Sequence, residues 1–369
     1  HPIPRRQRQM CIRDRHSLTK QVSNTDGGFR VAVNIRLDSN GGSETAAAKG
    51  GFRIGLQGPM ADYRYALLNS DQWVDAIIRD DGRLAVGEAE SSVQLSIEDW
   101  IQLSLKVVFS DQEARLILQG EGDDGRRAEV EATFPADRLM GNMALLSDGI
   151  EQRPEQAQAA TWRFKDWRID GEAVVEKKDH SFGPILWTQY TLSGRMLKLA
   201  ALMAPVEEID EPVGLQLKSG SDWREVAQSE VDPLSRTALF RIDDWNESVD
   251  KEYRVAYRWQ GKAYYWGGLI RKDPKDQETV RLAAFSCDNG YIFPNAKIVA
   301  NVEIQDPDLL YFAGDQIYES FGGFGIIREP VDLAMLDYLR KYWMFGWSWR
   351  ELLKDRPSII IPDDHDVCL

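Results

Sequence analysis

Three short runs near the C-terminal end carry the residue types that do chemistry. Ser286-Cys287-Asp288-Asn289 follows the strand-like stretch Val280 to Phe285. Gly314-Asp315-Gln316-Ile317-Tyr318-Glu319 follows Leu309 to Ala313, and Pro362-Asp363-Asp364-His365-Asp366 follows Ile359 to Ile361. Each run sets thiol, phenol, imidazole or carboxylate groups directly after an apolar stretch that reads as a buried strand. Open parallel sheets collect ligands beyond the carboxyl ends of their strands, where loops are free to vary while the strands stay packed. Carboxylate, imidazole, phenolate and thiolate are donors for hard and borderline metal ions. Asp315 and Tyr318 are close enough in sequence for a single turn to bring both to one ion. Asp364, after the next strand, can bridge to a second ion, and His365 points past it toward substrate. Two cations a few ångström apart activate water and neutralise a transferring phosphoryl group together. Taken singly, a lone cysteine at a strand end is a small apolar residue, and an Asp-Asp-His run is a surface loop. Their shared place after strands is what argues for a metal edge.

The elements that must position these groups begin at Glu278, where the pattern becomes strand, helix, strand, helix, strand. Pro294-Asn295 opens a helical stretch through Ile304, and Pro330 suits the first turn of a long helix running to about Asp355. Trp343, Trp347 and Trp349 are expected to pack that helix on the sheet. Crossovers of this kind give parallel strands, all with their carboxyl ends on one edge.

Upstream, the period changes to two. From Gly28 to Asp170 apolar residues alternate with polar ones, as in Phe29, Val31, Val33, Ile35 and Leu37, or Ile101, Leu103, Leu105 and Val107, with turn signals such as Asp81-Gly82 and Asp123-Asp124-Gly125 between runs. Many short strands at regular spacing make a β-sandwich or jelly roll. A second β region, Ser181 to Lys272, includes Ile185 to Tyr190, Val213 to Lys218, Ala238 to Ile242, Tyr253 to Arg258 and Ala263 to Leu269. Its length and rhythm suit an immunoglobulin or fibronectin-III-like sandwich. His180, at its border, reads as a surface or capping residue, and Lys272 to Asp276 as a linker.

The chain of 369 residues is too long for one core. Its formal net charge of -14 argues against a nucleic-acid-binding surface, and no run of apolar residues is long enough to form a transmembrane segment. Met10 to Arg15 matches the translation of a transposon end used in sequencing libraries, and Cys368-Leu369 the start of its reverse strand. Residues 1–17 are therefore expected to be a non-native leader, which leaves Cys287 as the one cysteine of interest and no internal disulfide.

Two resemblances extend this reading. The alternating region, with Gly141 to Ser147 and the Trp162/Trp167 segment, resembles concanavalin/laminin-G-like modules, which implies a possible glycan ligand. Ser286 to Asn289, Gly314 to Glu319 and Asp363 to Asp366 resemble the opening part of the PhoD-like alkaline phosphatase family within the metallophosphoesterase (calcineurin-like) superfamily, whose members carry an immunoglobulin-like N-terminal domain. That resemblance implies Cys287, Asp315, Tyr318 and Asp364 as metal ligands and His365 as the catalytic group on the transition state or leaving oxygen. Asn289 and Asp363 are implied as substrate-contacting or supporting residues, with loop capping as the competing role. It further implies a dinuclear site, iron plus calcium, with zinc or manganese as the other options, and an exported protein.

Asp364 stands where the superfamily has a metal-binding Asn, and Asp366 where many relatives have Glu. Later ligands of the family lie beyond residue 369, so the chain is expected to be truncated and to lack useful turnover on its own. The expected fold is multidomain, β plus α/β: a jelly-roll-like sandwich (18–175), an immunoglobulin-like sandwich (176–275) and the N-terminal part of an α/β metallophosphoesterase sheet (276–369). The expected function is metal-dependent hydrolysis of phosphomonoesters or phosphodiesters. The alternative is a glycan-binding cell-surface protein whose phosphoesterase-like part is inactive.

Overall fold

The computed structural model describes residues 14–38, 48–56, 58, 62–67, 72–148, 161–178, 180, 183–206, 211–288, 292–321 and 326–367. It divides into two compact units, one within Gln9–Ser181 and the other from Phe182 onward. Among the described residues no helix is long and apolar enough to cross a membrane.

The first unit is a pair of antiparallel sheets. The five-stranded sheet runs in the spatial order Thr161–Asp170, Gly28–Asp38, Ile101–Ser110, Glu113–Gly122, Arg127–Pro135. The seven-stranded sheet runs Val174–Glu176, Asp14–Val22, Gly141–Asp148, Lys49–Leu56, Val74–Arg79, Arg83–Val86, Ala89–Gln94. Alternation decides which residues meet between them. Phe29, Val31, Val33, Ile35 and Leu37 are all buried, as are Ile101, Leu103, Leu105 and Val107, in one core with Phe52, Ile54 and Leu145 from the other sheet. Trp162 belongs to that core, whereas Trp167 is partly buried, because a register shift between Lys165 and Arg168 breaks the alternation. The first strand begins at Asp14, inside the stretch expected to be leader, and Asp14 and Arg15 pair with Leu146 and Leu145. Strand pairing uses main-chain groups that every residue but proline carries in full, so it extends across a segment whatever its side chains. His180 stacks on Tyr63 with ring centroids 4.1 Å apart.

The second unit holds another sandwich. A three-stranded sheet (Ile185–Ser193, Met196–Met203, Thr237–Ile242) packs on a four-stranded one ordered Asp222–Ser229, Val213–Ser219, Lys251–Trp259, Lys262–Ile270. Leu197, Leu199, Phe240, Val213, Leu215, Tyr253 and Val255 fill the space between. The Lys272 to Asp276 stretch contains a short 3-10 turn, Pro274–Asp276, in which Asp273 accepts the Lys275 N–H at 3.0 Å. The chain then enters a parallel layer: β1 (Leu282–Phe285), α1 (Ala296–Gln305), β2 (Leu309–Ala313), α2 (Val331–Leu353), β3 (Ser358–Ile361) and the single turn α3 (Asp364–Val367). The sheet order is β1-β2-β3, with Phe285 beside Phe312 and Phe312 beside Ile360.

Helix α2 is buried on more than one side, unlike an ordinary amphipathic surface helix. Toward the sheet, Trp349 meets Phe285 and Phe312 at 4.6 and 5.4 Å between ring centroids, and Phe345 meets Phe312 at 5.1 Å. Toward the sandwich, Trp187 meets Tyr342 at 5.4 Å and lies directly over Gly346. Trp347 is on that second side as well: the Arg350 guanidinium lies 5.7 Å from its ring and 4.9 Å from Trp266 of the sandwich. The three tryptophans therefore do not all face the sheet, as their spacing had suggested.

Polar bonds complete this junction. Tyr253 Oη donates to the Lys354 carbonyl at 3.0 Å, which leaves Thr188 to donate to Tyr253 at 2.6 Å. Arg271 reaches the Asp355 carbonyl at 3.0 Å and the Asp306 carboxylate at 2.6 Å.

A second local expectation fails. The strands flanking β2 are not buried on both faces. Leu310 and Phe312 are buried, yet Leu282, Ile359 and Ile361 are exposed at 55%, 43% and 45%. Successive side chains of a strand point to opposite faces, and among the described residues helices cover one face of this layer.

Candidate metal centre

The carboxyl edge of the parallel layer brings the three sequence runs together. Two residues there, Cys287 (φ 58°) and Asp315 (φ 56°), take left-handed backbone conformations uncommon outside glycine. This turns the chain sharply at each strand end. The Cys287 N–H donates to the Gly314 carbonyl at 3.2 Å, so the first loop is tied to the second. Gly314 has φ 93°, and a Cβ there would lie 2.4 Å from Cβ of Asp363, so glycine is required for the second loop to touch the third.

Asp315 is the centre of the cluster. It is 8% exposed. Its Oδ2 accepts from Tyr318 Oη at 3.0 Å and lies 3.7 Å from Cys287 Sγ. Its Oδ1 is buried and has no hydrogen-bond partner among the described residues. Asp315, Asp364 and His365 each offer a ligand atom, and these atoms all lie within 4.8 Å of one another. Cys287 reaches Asp315 but falls outside that mutual set, and its side chain is exposed. The Tyr318 hydroxyl is pushed well above the ordinary range by burial, then by its bond to Asp315 and that carboxylate's charge, with Cys287 adding to both effects. It therefore stands as a neutral donor to Asp315 until a cation competes for its oxygen.

His365 packs against the Tyr318 ring at 4.3 Å. Its Nδ1 lies 2.8 Å from Glu319 Oε2, which leaves Nε2 free of that contact. Glu319 had no role in the sequence reading. It sits one residue past Tyr318 and is separated in sequence from His365 by 46 positions, so no local pattern marked the pairing. Asp363 is exposed, and its Oδ1 accepts the backbone N–H of Asp364, a member of the cluster, at 2.9 Å. Asp366, which the sequence reading marked only as a departure from Glu, is buried and holds backbone N–H groups of both loops. Asp288 accepts from Asn295 Nδ2 at 2.8 Å and from Trp349 Nε1 at 3.1 Å. A cavity of about 20 Å³, room for roughly one water, lies among Asp288, Asn295, Tyr318, Lys341 and Ser348. Asn289 lies outside the described residues, as do Cys11 and Cys368.

The His365–Glu319 pair has a defined pH window. The bond to Glu319 raises the His365 pKa above 6.5, and the bond to His365 lowers that of Glu319 below 4.5. The histidine's contribution to stability is complete below its unfolded pKa and fades as pH rises through the raised value. The glutamate's is present above its unfolded pKa and fades as pH falls through the lowered one. Replacing Glu319 with Gln is therefore expected to move the His365 titration, followed by imidazole NMR shifts, back down toward 6.5. An unmoved midpoint would show that the pair does not form in solution.

No family model matches this chain, and no curated protein matches it. Solved structures to which it is similar are lectin-like. They include the metal-free form of lectin I-B4 from Griffonia simplicifolia (12% identity, 42% of this chain and 79% of that one, TM-score 0.29). Peanut lectin with a nine-residue peptide is another (8% identity, 43% and 81%, TM-score 0.29). A legume lectin-like domain from Entamoeba histolytica is a third (8% identity, 41% and 82%, TM-score 0.23). Likeness at this level assigns no ligand to the present chain.

Proposed function

We propose that the parallel layer of the second unit is the metal-binding edge of a phosphoric ester hydrolase acting on phosphomonoesters or phosphodiesters. Two observations carry this reading: ligand atoms of Asp315, Asp364 and His365 lie within 4.8 Å of one another, and Asp315 Oδ1 is buried with no hydrogen-bond partner among the described residues. An unpartnered buried carboxylate oxygen is costly, and a cation is the partner that removes the cost. The donor chemistry fits: Asp315 and Asp364 would hold the ion, Tyr318 and Cys287 reach the Asp315 carboxylate, and His365 stands beside them with Nε2 left for substrate. Carboxylates with phenol and thiol beside them suit iron, zinc or manganese at this position, and calcium belongs at an all-oxygen second one. A bound metal would supply a water of lowered pKa and positive charge for the phosphoryl oxygens.

The chain's own residues do the rest. Glu319 holds the His365 ring by Nδ1, so that Nε2 is the atom placed to donate to a phosphoryl or leaving oxygen. Asp315 orients Tyr318. Export belongs to this reading through the family resemblance.

The test uses the purified chain with iron, zinc, manganese or calcium added. Metal content after dialysis, the visible tyrosinate-to-ferric band and hydrolysis of chromogenic mono- and diesters are measured together. One retained ion per chain, and a band lost in Tyr318→Phe, are expected; no retained metal would end this reading.

The other reading, glycan binding by the first unit beside an inactive phosphoesterase-like layer, is the one nearer in kind to the lectin-like structures. It is separated by presenting the same protein to a glycan array, where specific binding without ester turnover would favour it.

A further inference from the structure

We infer that Asp366 is the positioning residue that makes one site out of two loops. Its carboxylate is 5% exposed, and each oxygen accepts two backbone N–H groups. Oδ2 takes those of Asp315 at 2.7 Å and Asp363 at 3.0 Å, and Oδ1 those of Gln316 at 2.9 Å and Ile317 at 3.1 Å. Three of these donors belong to the loop after β2 and one to the loop after β3. The main chain of Asp366 adds a third element, because its carbonyl accepts from Tyr338 Oη of α2 at 3.1 Å.

The bond to Asp363 has a local explanation, a residue in the first turn of α3 reaching back to the N–H of the cap. The other three do not. Successive N–H groups at 315, 316 and 317 converge on one carboxylate only where the chain bends as the left-handed Asp315 makes it bend. The conformation that aims the Asp315 side chain at Asp364 and His365 is thus held from behind by the residue directly following His365. Charge-assisted bonds of this kind are the stronger ones, and a buried carboxylate with all four bonds made has a single favoured orientation. Asp366 touches neither substrate nor ion and acts through Asp315, Asp364 and His365.

The consequence for metal affinity rests on the metal-binding reading above; the mechanical role does not. Asp366→Asn keeps the shape but has one acceptor oxygen, and its NH₂ must face one pair of N–H donors. Hydrogen exchange and Mn²⁺ titration calorimetry are measured on the whole chain, wild type and variant. Exchange at the amides of Asp315, Gln316, Ile317 and Asp363 is expected to accelerate on the order of tenfold or more, with the strand Val213–Ser219 unchanged. Mn²⁺ affinity is expected to fall on the order of 10- to 100-fold, as it does when groups that orient metal ligands are removed. Should the Asn variant not fold, Asp366→Glu, which keeps the charge but misplaces both oxygens, takes the same measurements. Unchanged exchange at those four amides in a folded variant overturns the inference. A wild-type chain that ignores Mn²⁺ while the variant's exchange still rises refutes the metal reading and leaves the positioning role standing.

Discussion

Asp315→Asn is expected to weaken metal binding by on the order of 100-fold or more while making the metal-free protein more stable, by about 1 kcal/mol. Both halves follow from the same atom. Asp315 Oδ1 is buried and has no hydrogen-bond partner among the described residues, so its burial costs the metal-free protein free energy. An amide has the same outline and no charge. The backbone would keep its bend, because the bonds that hold it run from main-chain N–H groups to Asp366 and do not use the Asp315 side chain. Tyr318 would still find an oxygen to donate to. Against that gain stands the loss of the one carboxylate shared by Tyr318, Cys287 and the Asp364–His365 pair. A site that stores instability for its ligand is the expected signature of function. Calorimetric titration and thermal unfolding on the same two samples check it. A variant that is less stable and binds metal as well as the wild type would show that Asp315 serves packing.

The second large effect lies away from the site. Trp187→Ala is expected to destabilise the second unit by about 3–5 kcal/mol, the range for removing a large aromatic side chain from a packed interior. Trp187 is 1% exposed and fills the space over α2 between the sandwich and the parallel layer. Its ring sits where a side chain on residue 346 would be: a Cβ on Gly346 would come within 2.1 Å of it. Gly346→Ala alone is therefore expected to cost about 1–3 kcal/mol by overpacking. In the Trp187→Ala background the sign should reverse. The added methyl then enters an empty space, and alanine is favoured over glycine in a helix interior by roughly 0.8–1 kcal/mol. Denaturant unfolding of the four proteins of this cycle measures the coupling directly. Equal costs in both backgrounds would mean that the ring and the glycine are not in contact in solution.

Much of the architecture was legible because it depends on short-range periodicity. In the first unit, Phe29 through Leu37 and Ile101 through Val107 alternate strictly, and a strand with that pattern has one face to bury whatever its partners turn out to be. The switch at residue 278 was legible for the same reason. Leu309 to Ala313 is apolar, short and followed by glycine, and Pro330 stands at the N-cap position of α2, one residue before the first turn expected for it. The candidate site residues were visible because each lies within a few positions of a strand end, and parallel pairing sends those ends to one edge.

Only the tertiary structure decided the rest. Glu319 meets His365, and Asp366 meets the N–H groups of residues 315 to 317, across separations of about fifty positions. A carboxylate that binds main-chain N–H groups leaves no complementary side chain in the sequence to betray it. The exposure of Ile359 and Ile361 and the burial of α2 on its sandwich side were likewise hidden. An apolar residue declares that it gains by leaving water; which surface takes it in depends on elements far along the chain.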